Sequence, residues 1–201
     1  MPLTDTGVHN ALNNVGVTHI GLFSDYSTEV TGGSPAYARK ATTPSTAASR
    51  QKQLVPSQLE FDVPAGTIVN FVSAHDALTS GNILDKAPIG SSKSGVATVA
   101  ASDDLFLSKG HTLSAGNRVV VFQVANESIP TGLTVGTVYY VISSGLTADA
   151  FKLSTTSGGT AVDITADGEV FWMDCIPATD AVQFVLRLPA NSFNLDGRAI
   201  K

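Results

Sequence analysis

The sequence predicts an all-β protein made of two small sandwich- or barrel-like β domains, one inserted into the other, with a short N-terminal helix. Three observations predict it. Apolar residues recur at every second position in short runs, as at Val182, Phe184, Leu186 and Leu188. Gly and Pro turns close such runs at short intervals, most densely over 109–168. The cleanest alternating run lies beyond residue 176, after that dense stretch, so strands of one domain flank the other.

In chain order, Thr4 to Val15 is the one segment with helical spacing. Val8, Leu12 and Val15 share a face, Asp5 or Thr6 is suited to cap the start, and Gly16 suits the end. A helix this short needs packing against a neighbour to persist. From Val17 the period changes to that of a strand, with Ile20 and Leu22 on one face. Leu59, Phe61 and Val63 alternate with Glu60 and Asp62. Pro64-Ala-Gly66 then turns the chain into Thr67–Val72, which reads as a hairpin. Between Glu29 and Gln58 the pattern fades, and a stretch of that length exceeds the usual connection of about 4–6 residues. It reads as a long ordered loop, or as an arm that gains order from a partner.

The polar stretch Gly90-Ser-Ser-Lys-Ser-Gly95 and the segment Trp172–Pro177 bracket the inner module. Within it, Val119–Phe122, Thr137–Ile142, Ala150–Ser154 and Val162–Thr165 read as strands. The expected division is an outer domain of 1–93 plus 174–201, carrying the arm 29–58, around an inserted module of 94–173. Exposed loop tips accept such insertions because few contacts cross them.

Composition narrows the function classes. Hydrophobic residues make up 43% of the chain and charged residues only 14%, well under the roughly 25% of ordinary soluble domains. The formal net charge is −5, so the basic footprint of a nucleic-acid binder is absent. The single cysteine, Cys175, excludes an internal disulfide framework and suits a buried structural thiol. No secretory leader is visible at Met1-Pro-Leu-Thr-Asp5, and no apolar run approaches the ~18 residues of a membrane helix.

No catalytic or metal-binding pattern stands out. His9, His19, His75 and His111 are scattered, without the convergent spacing a zinc site requires. His111, in Gly110-His-Thr-Leu-Ser-Ala-Gly116, reads as a turn former. Asp103-Asp104 and Asp174 lack the alternating oxygen ligands of a calcium loop. No serine sits in a G-x-S-x-G elbow. No cofactor is therefore expected, and a sugar hydrolase ranks last among the readings.

Two surface features remain. Tyr37, Arg39, Lys40, Arg50 and Lys52 form a basic segment with no acid between Glu29 and Glu60. A solvated loop explains it, and a docking arm for an acidic shell surface is the sharper hypothesis. Tyr139, Tyr140 and Trp172, in the pairs Tyr139-Tyr140 and Phe171-Trp172, belong to strands. One residue of each pair must face outward, as a half-buried aromatic or as a stacking surface for host glycans.

Two stretches carry a resemblance. Gly16-Val-Thr-His-Ile-Gly-Leu-Phe23, Glu29–Lys40, Phe61-Asp-Val-Pro-Ala-Gly-Thr67, Asp180–Phe184 and Asn194-Leu-Asp-Gly197 resemble small virion structural proteins of tailed phages infecting actinobacteria, of the minor capsid, head-decoration or tail-associated kind. Residues 109–168 are similar to an inserted β module common in phage head and tail proteins. The resemblance implies a non-enzymatic protein of the virion surface, assembled in the host cytoplasm. Its expected partner is the major capsid protein, which it would decorate and reinforce, as a homo-oligomer on the particle. Tail or neck proteins are the alternative partners, and host surface glycan is a third. Nucleic acid and membrane are not expected partners.

Overall fold

The computed structural model describes residues 4–125 and 127–196. Among the described residues the fold is all-β apart from one short helix. It divides into two compact units, Met1–Ala87 with Pro177–Lys201, and Pro88–Ile176.

In the first unit, helix α1 (Asp5–Asn13) is capped by Thr4, one residue before the expected caps, with its Oγ1 accepting the Gly7 N–H at 3.2 Å. Val8 and Leu12 are buried with Ala47. Strand β1 (His19–Phe23) is buried on both faces. It is followed by the short β2 (Lys40–Ala41) and β3 (Gln51–Gln53), then β4 (Leu59–Val63), β5 (Phe71–His75) and β6 (Ile83–Pro88). One four-stranded sheet runs β2-β1-β5-β6.

The expected hairpin from β4 into β5 does not form. The turn exists, with Thr67 N–H donating to Pro64 O, but Val69 then exchanges backbone bonds with Ala178. That bridge diverts the chain, so β5 pairs with β1. Near the end of the chain, β13 (Phe184–Leu188) pairs with β4, and β14 (Asn194–Asp196) pairs with β3.

Residues 29–58 are ordered within this unit. Thr42 N–H donates to Thr18 O and Ser45 N–H to Gln53 O, and Leu54 and Val55 are fully buried. The tight turn Ala48–Gln51 places Ser49 and Arg50 at φ 49° and 62°. Hairpin turns with two left-handed residues normally use Asn-Gly, so the sequence carried no signal for this one.

The second unit is a closed barrel. Its strands are β7 (Ser94–Ala100), β8 (Leu105–Leu107), β9 (Arg118–Gln123), β10 (Val138–Ile142), β11 (Ala150–Ser154) and β12 (Gly168–Cys175), in the order β10-β11-β8-β7-β12-β9, with β9 returning to β10. The period-2 pattern explains its interior. Ala97 and Val99, Val119 and Val121, Tyr139 and Val141, Phe151 and Leu153, and Val170 and Trp172 all enter one core. Phe106 stacks on Phe151 at 5.2 Å, and Phe151 meets Trp172 in a T-shaped contact. Closure leaves this sheet without an open edge.

Val162–Thr165, expected as a strand, is a loop that lowers Ile164 into the core. Asp104 Oδ1 holds the Ile164 N–H, and Thr165 N–H donates to Thr131 O. Asp103-Asp104 lies in a turn, as its sequence suggested. The chain enters and leaves the barrel at adjacent points. Ile176 N–H donates to Ile89 O, and the Asp174 carboxylate accepts the N–H groups of Ser92 and Lys93 at 2.7 Å each. This clamp draws 88–93 and 174–176 into the barrel unit, outside the borders expected at 94 and 173.

Candidate functional site

The five basic-segment residues do not form a shared surface. The Arg39 guanidinium makes a two-pronged bond to Glu29 at 2.7 Å on each oxygen, and its Nη1 donates to the carbonyls of Ala77 and Ser80. The Tyr37 hydroxyl accepts the Leu22 N–H at 2.7 Å, donates to Glu29, and its ring stacks on Phe61. Lys52 is 6% exposed, and its ammonium donates to the carbonyls of Leu12, Asn13 and Val15 at the end of α1. Arg50 pairs with Asp5 at 2.8 Å, and Lys40 is half-buried in β2. Within the acid-free run, Arg39, Arg50 and Lys52 are tied inside their own unit, and Lys52 carries its charge to the helix terminus, where cations are favoured.

The aromatic candidates also separate. Tyr139 and Trp172 are 2% and 1% exposed and lie inside the barrel. The Tyr139 hydroxyl accepts the Thr134 N–H, and Trp172 Nε1–H donates to Ser108 Oγ at 3.0 Å. They cannot stack on a glycan. Tyr140 is on the outer side, half-buried, with the Arg118 guanidinium 5.4 Å from its ring centre. Alternation required one member of each pair to face out; the outward members are Tyr140 and Phe171.

A hydroxyl, an imidazole and a carboxylate do meet beneath Gly21. Ser73 Oγ lies 2.8 Å from His75 Nε2. A Cβ at position 21 would sit 2.9 Å from that nitrogen and 3.1 Å from both Ser73 Oγ and Glu29 Oε1. Glycine is therefore required for β1 to cross this cluster. Ser73 and His75 are fully buried, so no substrate reaches the hydroxyl, and among the described residues His75 Nδ1 has no hydrogen-bond partner. Burial, reinforced by the nearby Arg39 charge, pulls the His75 pKa down to about 4, despite the opposing pull of Glu29. Burial alone would raise Glu29, but its bonds to Arg39 hold it below the ordinary carboxylate range. The cluster is a neutral-imidazole core polar network rather than a nucleophile site.

Among the described residues, no three His, Cys, Asp or Glu side chains come together in a group that could hold a metal ion. His9 Nε2 accepts the Arg50 N–H, and His19 Nδ1 lies 2.9 Å from Thr18 Oγ1. His111 shapes its loop: Nδ1 accepts the Leu113 N–H and Nε2 donates to Ala150 O. Burial pushes the Cys175 thiol up to about 11, so it is protonated and inert at neutral pH. Among the described residues, no helix is long and apolar enough to cross a membrane.

The barrel carries a polar hollow of about 570 Å³ at the start of β7 and the end of β8. Lys93 and Lys109 line it with Ser92, Ser94, Thr112, His111 and Trp172, and among the described residues no carboxylate side chain does. Its floor is built by Gly95 lying against the Trp172 ring, where a Cβ would come within 3.1 Å. The Lys93 ammonium reaches across to the Thr112 carbonyl at 2.8 Å. Thr112 holds a left-handed φ of 53°, a conformation rarely adopted by a β-branched residue. The acids nearby are engaged from behind: Asp174 with the 91–93 backbone and hydroxyls, and Asp149 with the Gly110 N–H. Sequence carries no signal for this site, because Gly90–Gly95 reads as a boundary segment and Lys109-Gly-His-Thr112 as a turn.

Residues 21–112, a little under half of the chain, match the family model of the podophage GP4 fiber I protein gp80. The matched stretch begins in β1 and ends at the hollow. No curated protein matches the chain. Among solved structures, a phage phi92 endosialidase is similar at 16% identity over 83% of this chain and 24% of that one, with a TM-score of 0.25. The chain thus spans about a quarter of that protein's length, and a likeness at this TM-score carries no argument. The family match supports a phage virion structural protein.

Proposed function

We propose that this chain is a non-enzymatic structural protein of a phage tail, part of a fibre or of its attachment, in which the first unit joins the virion and the barrel faces a ligand. The observation that carries the reading is the match of residues 21–112 to a fibre protein family. It moves the expectation from the shell, the first choice on sequence alone, to the tail alternative. The geometry adds no counterweight for the shell, because Arg39, Arg50 and Lys52 are tied within their own unit. A fibre repeats its subunits, so a weak site on each becomes effective through multivalency. Partners on this reading are other tail proteins and further copies of the chain.

The test is quantitative mass spectrometry of purified virions, separated into heads and tails. The expected result is a low copy number that follows the tail fraction. A copy number comparable to that of the major shell protein, following the heads, returns the reading to capsid decoration.

A further inference from the structure

We propose that the hollow beside β7 and β8 binds an anionic saccharide, with its carboxylate or phosphate met by the Lys93 and Lys109 ammonium groups and its hydroxyls by Ser92, Ser94 and Thr112. The inference rests on the barrel being the ligand-facing unit, and gives that unit a site and a ligand class.

Four observations converge. At about 570 Å³ the hollow is far larger than a lone ion requires and lies within the range of small-ligand sites, about 300–1,000 Å³. Its exposed or half-buried polar side chains are cationic or hydroxyl-bearing, in a chain with 17 acids against 12 bases. That segregation is local, since the neighbouring carboxylates of Asp174 and Asp149 are occupied by backbone donors. Lys93 is preset, because its bond to Thr112 fixes the ammonium across the hollow with one of its three donors. Less ordering is then needed on binding.

The lining also selects among anions. Val96, 51% exposed on β7, offers an aliphatic patch of the kind a sugar ring's C–H face covers. Nucleic acid needs exposed aromatic platforms for successive bases, and the rings that line the hollow, Trp172 and His111, are 1% and 5% exposed. Hydroxyl-rich walls suit a polyol better than an apolar ligand.

The experiment is an amide-resolved NMR titration of the full chain with three probes: hyaluronan tetrasaccharide, a glycerol-phosphate oligomer and neutral maltotetraose. Saturable shifts are expected at Ser92–Ser94 and Lys109–Thr112 with one or both anionic probes, weakening as salt rises. The probe that binds distinguishes a carboxylate from a phosphate ligand. Lys109→Glu, on an exposed side chain, should keep the native spectrum and weaken binding at least about tenfold, the scale of a lost charge-assisted hydrogen bond. Lys93→Gln should weaken it in the same direction. Equal binding of maltotetraose at these residues would overturn the anionic assignment. Absence of shifts there with all three probes, in a folded chain, would overturn the site. That result leaves the tail assignment intact, which fails separately if the protein follows the heads.

Discussion

The barrel and the first unit are built by different means. In the barrel, five of the six strands place two alternate apolar side chains each in a common core, and the backbone ladder closes on itself. In the first unit the sheets are short and open, and long-range polar side chains fasten the connections. Lys52 binds the end of α1, Arg39 reaches Glu29, Ala77 and Ser80, Asn13 holds the Ala47 N–H, and Gln183 holds Ser34 and Pro35. In the barrel, polar side chains such as Asp174 and Asp104 fasten the loops around a closed apolar core; in the first unit they also tie the short open sheets and the helix together.

The comparison can be broken most directly in the barrel. Trp172→Ala should cost about 3–5 kcal/mol, the scale for emptying a large buried aromatic, measured by denaturant unfolding of 88–176 alone. That segment should itself fold, since its ends meet at Ile89 and Ile176. A fragment that stays unfolded would show that the barrel depends on the rest of the chain.

In the first unit, Lys52→Met keeps the aliphatic stem and removes only the ammonium. It should cost about 1.5–3 kcal/mol, the range for hydrogen bonds to a charged group, with loss of α1 signal by circular dichroism. A neutral effect would mean that water satisfies the Leu12, Asn13 and Val15 carbonyls, and that the polar ties are incidental.

His75 sharpens the contrast through pH. Unfolded, it takes up a proton below its ordinary value of 6.5; folded, it does so only near 4. The unfolded chain therefore binds more protons between these values, and stability falls as pH drops through that window by up to about 1.4 kcal/mol per unit. The groups facing it electrostatically are Arg39, Glu29, Lys86 and Asp76. His75→Leu should flatten the first unit's urea midpoint between pH 6.5 and 4.5. The barrel, followed by Trp172 fluorescence, should show no such His75-dependent change.

The smallest effect is expected at the exposed Arg187–Glu60 pair, 2.8 Å apart across β13 and β4. Arg187→Ala should leave the unfolding midpoint within error, because solvent screens such pairs.

The same contrast decides what was legible in the sequence. Period-2 alternation exposed β1, β4 and β13, apolar runs closed by Gly or Pro turns exposed β9, β10 and β11, and the spacing of Val8 and Leu12 exposed α1. Partners were not legible: Pro64-Ala-Gly66 does turn the chain, yet β5 pairs with β1 because Val69 is held by Ala178, more than a hundred residues away. Local signals do not encode pairings of that separation. The internal ties of Arg39 and Lys52 were not legible for a related reason. A lysine read from sequence is a solvated charge until a helix end, distant in sequence, is placed over it. Alternation established that one of Tyr139 and Tyr140 faces out, but barrel closure decides which. The hollow at Lys93 and Lys109 was hidden because its two halves each read as a turn.

The most direct measurement of the central claim is cryo-electron microscopy of intact virions labelled with an antibody fragment raised against the barrel. The account predicts label on the tail, at a fibre or its attachment point, and bare heads. Regular label across the shell lattice, with an unlabelled tail, would contradict it.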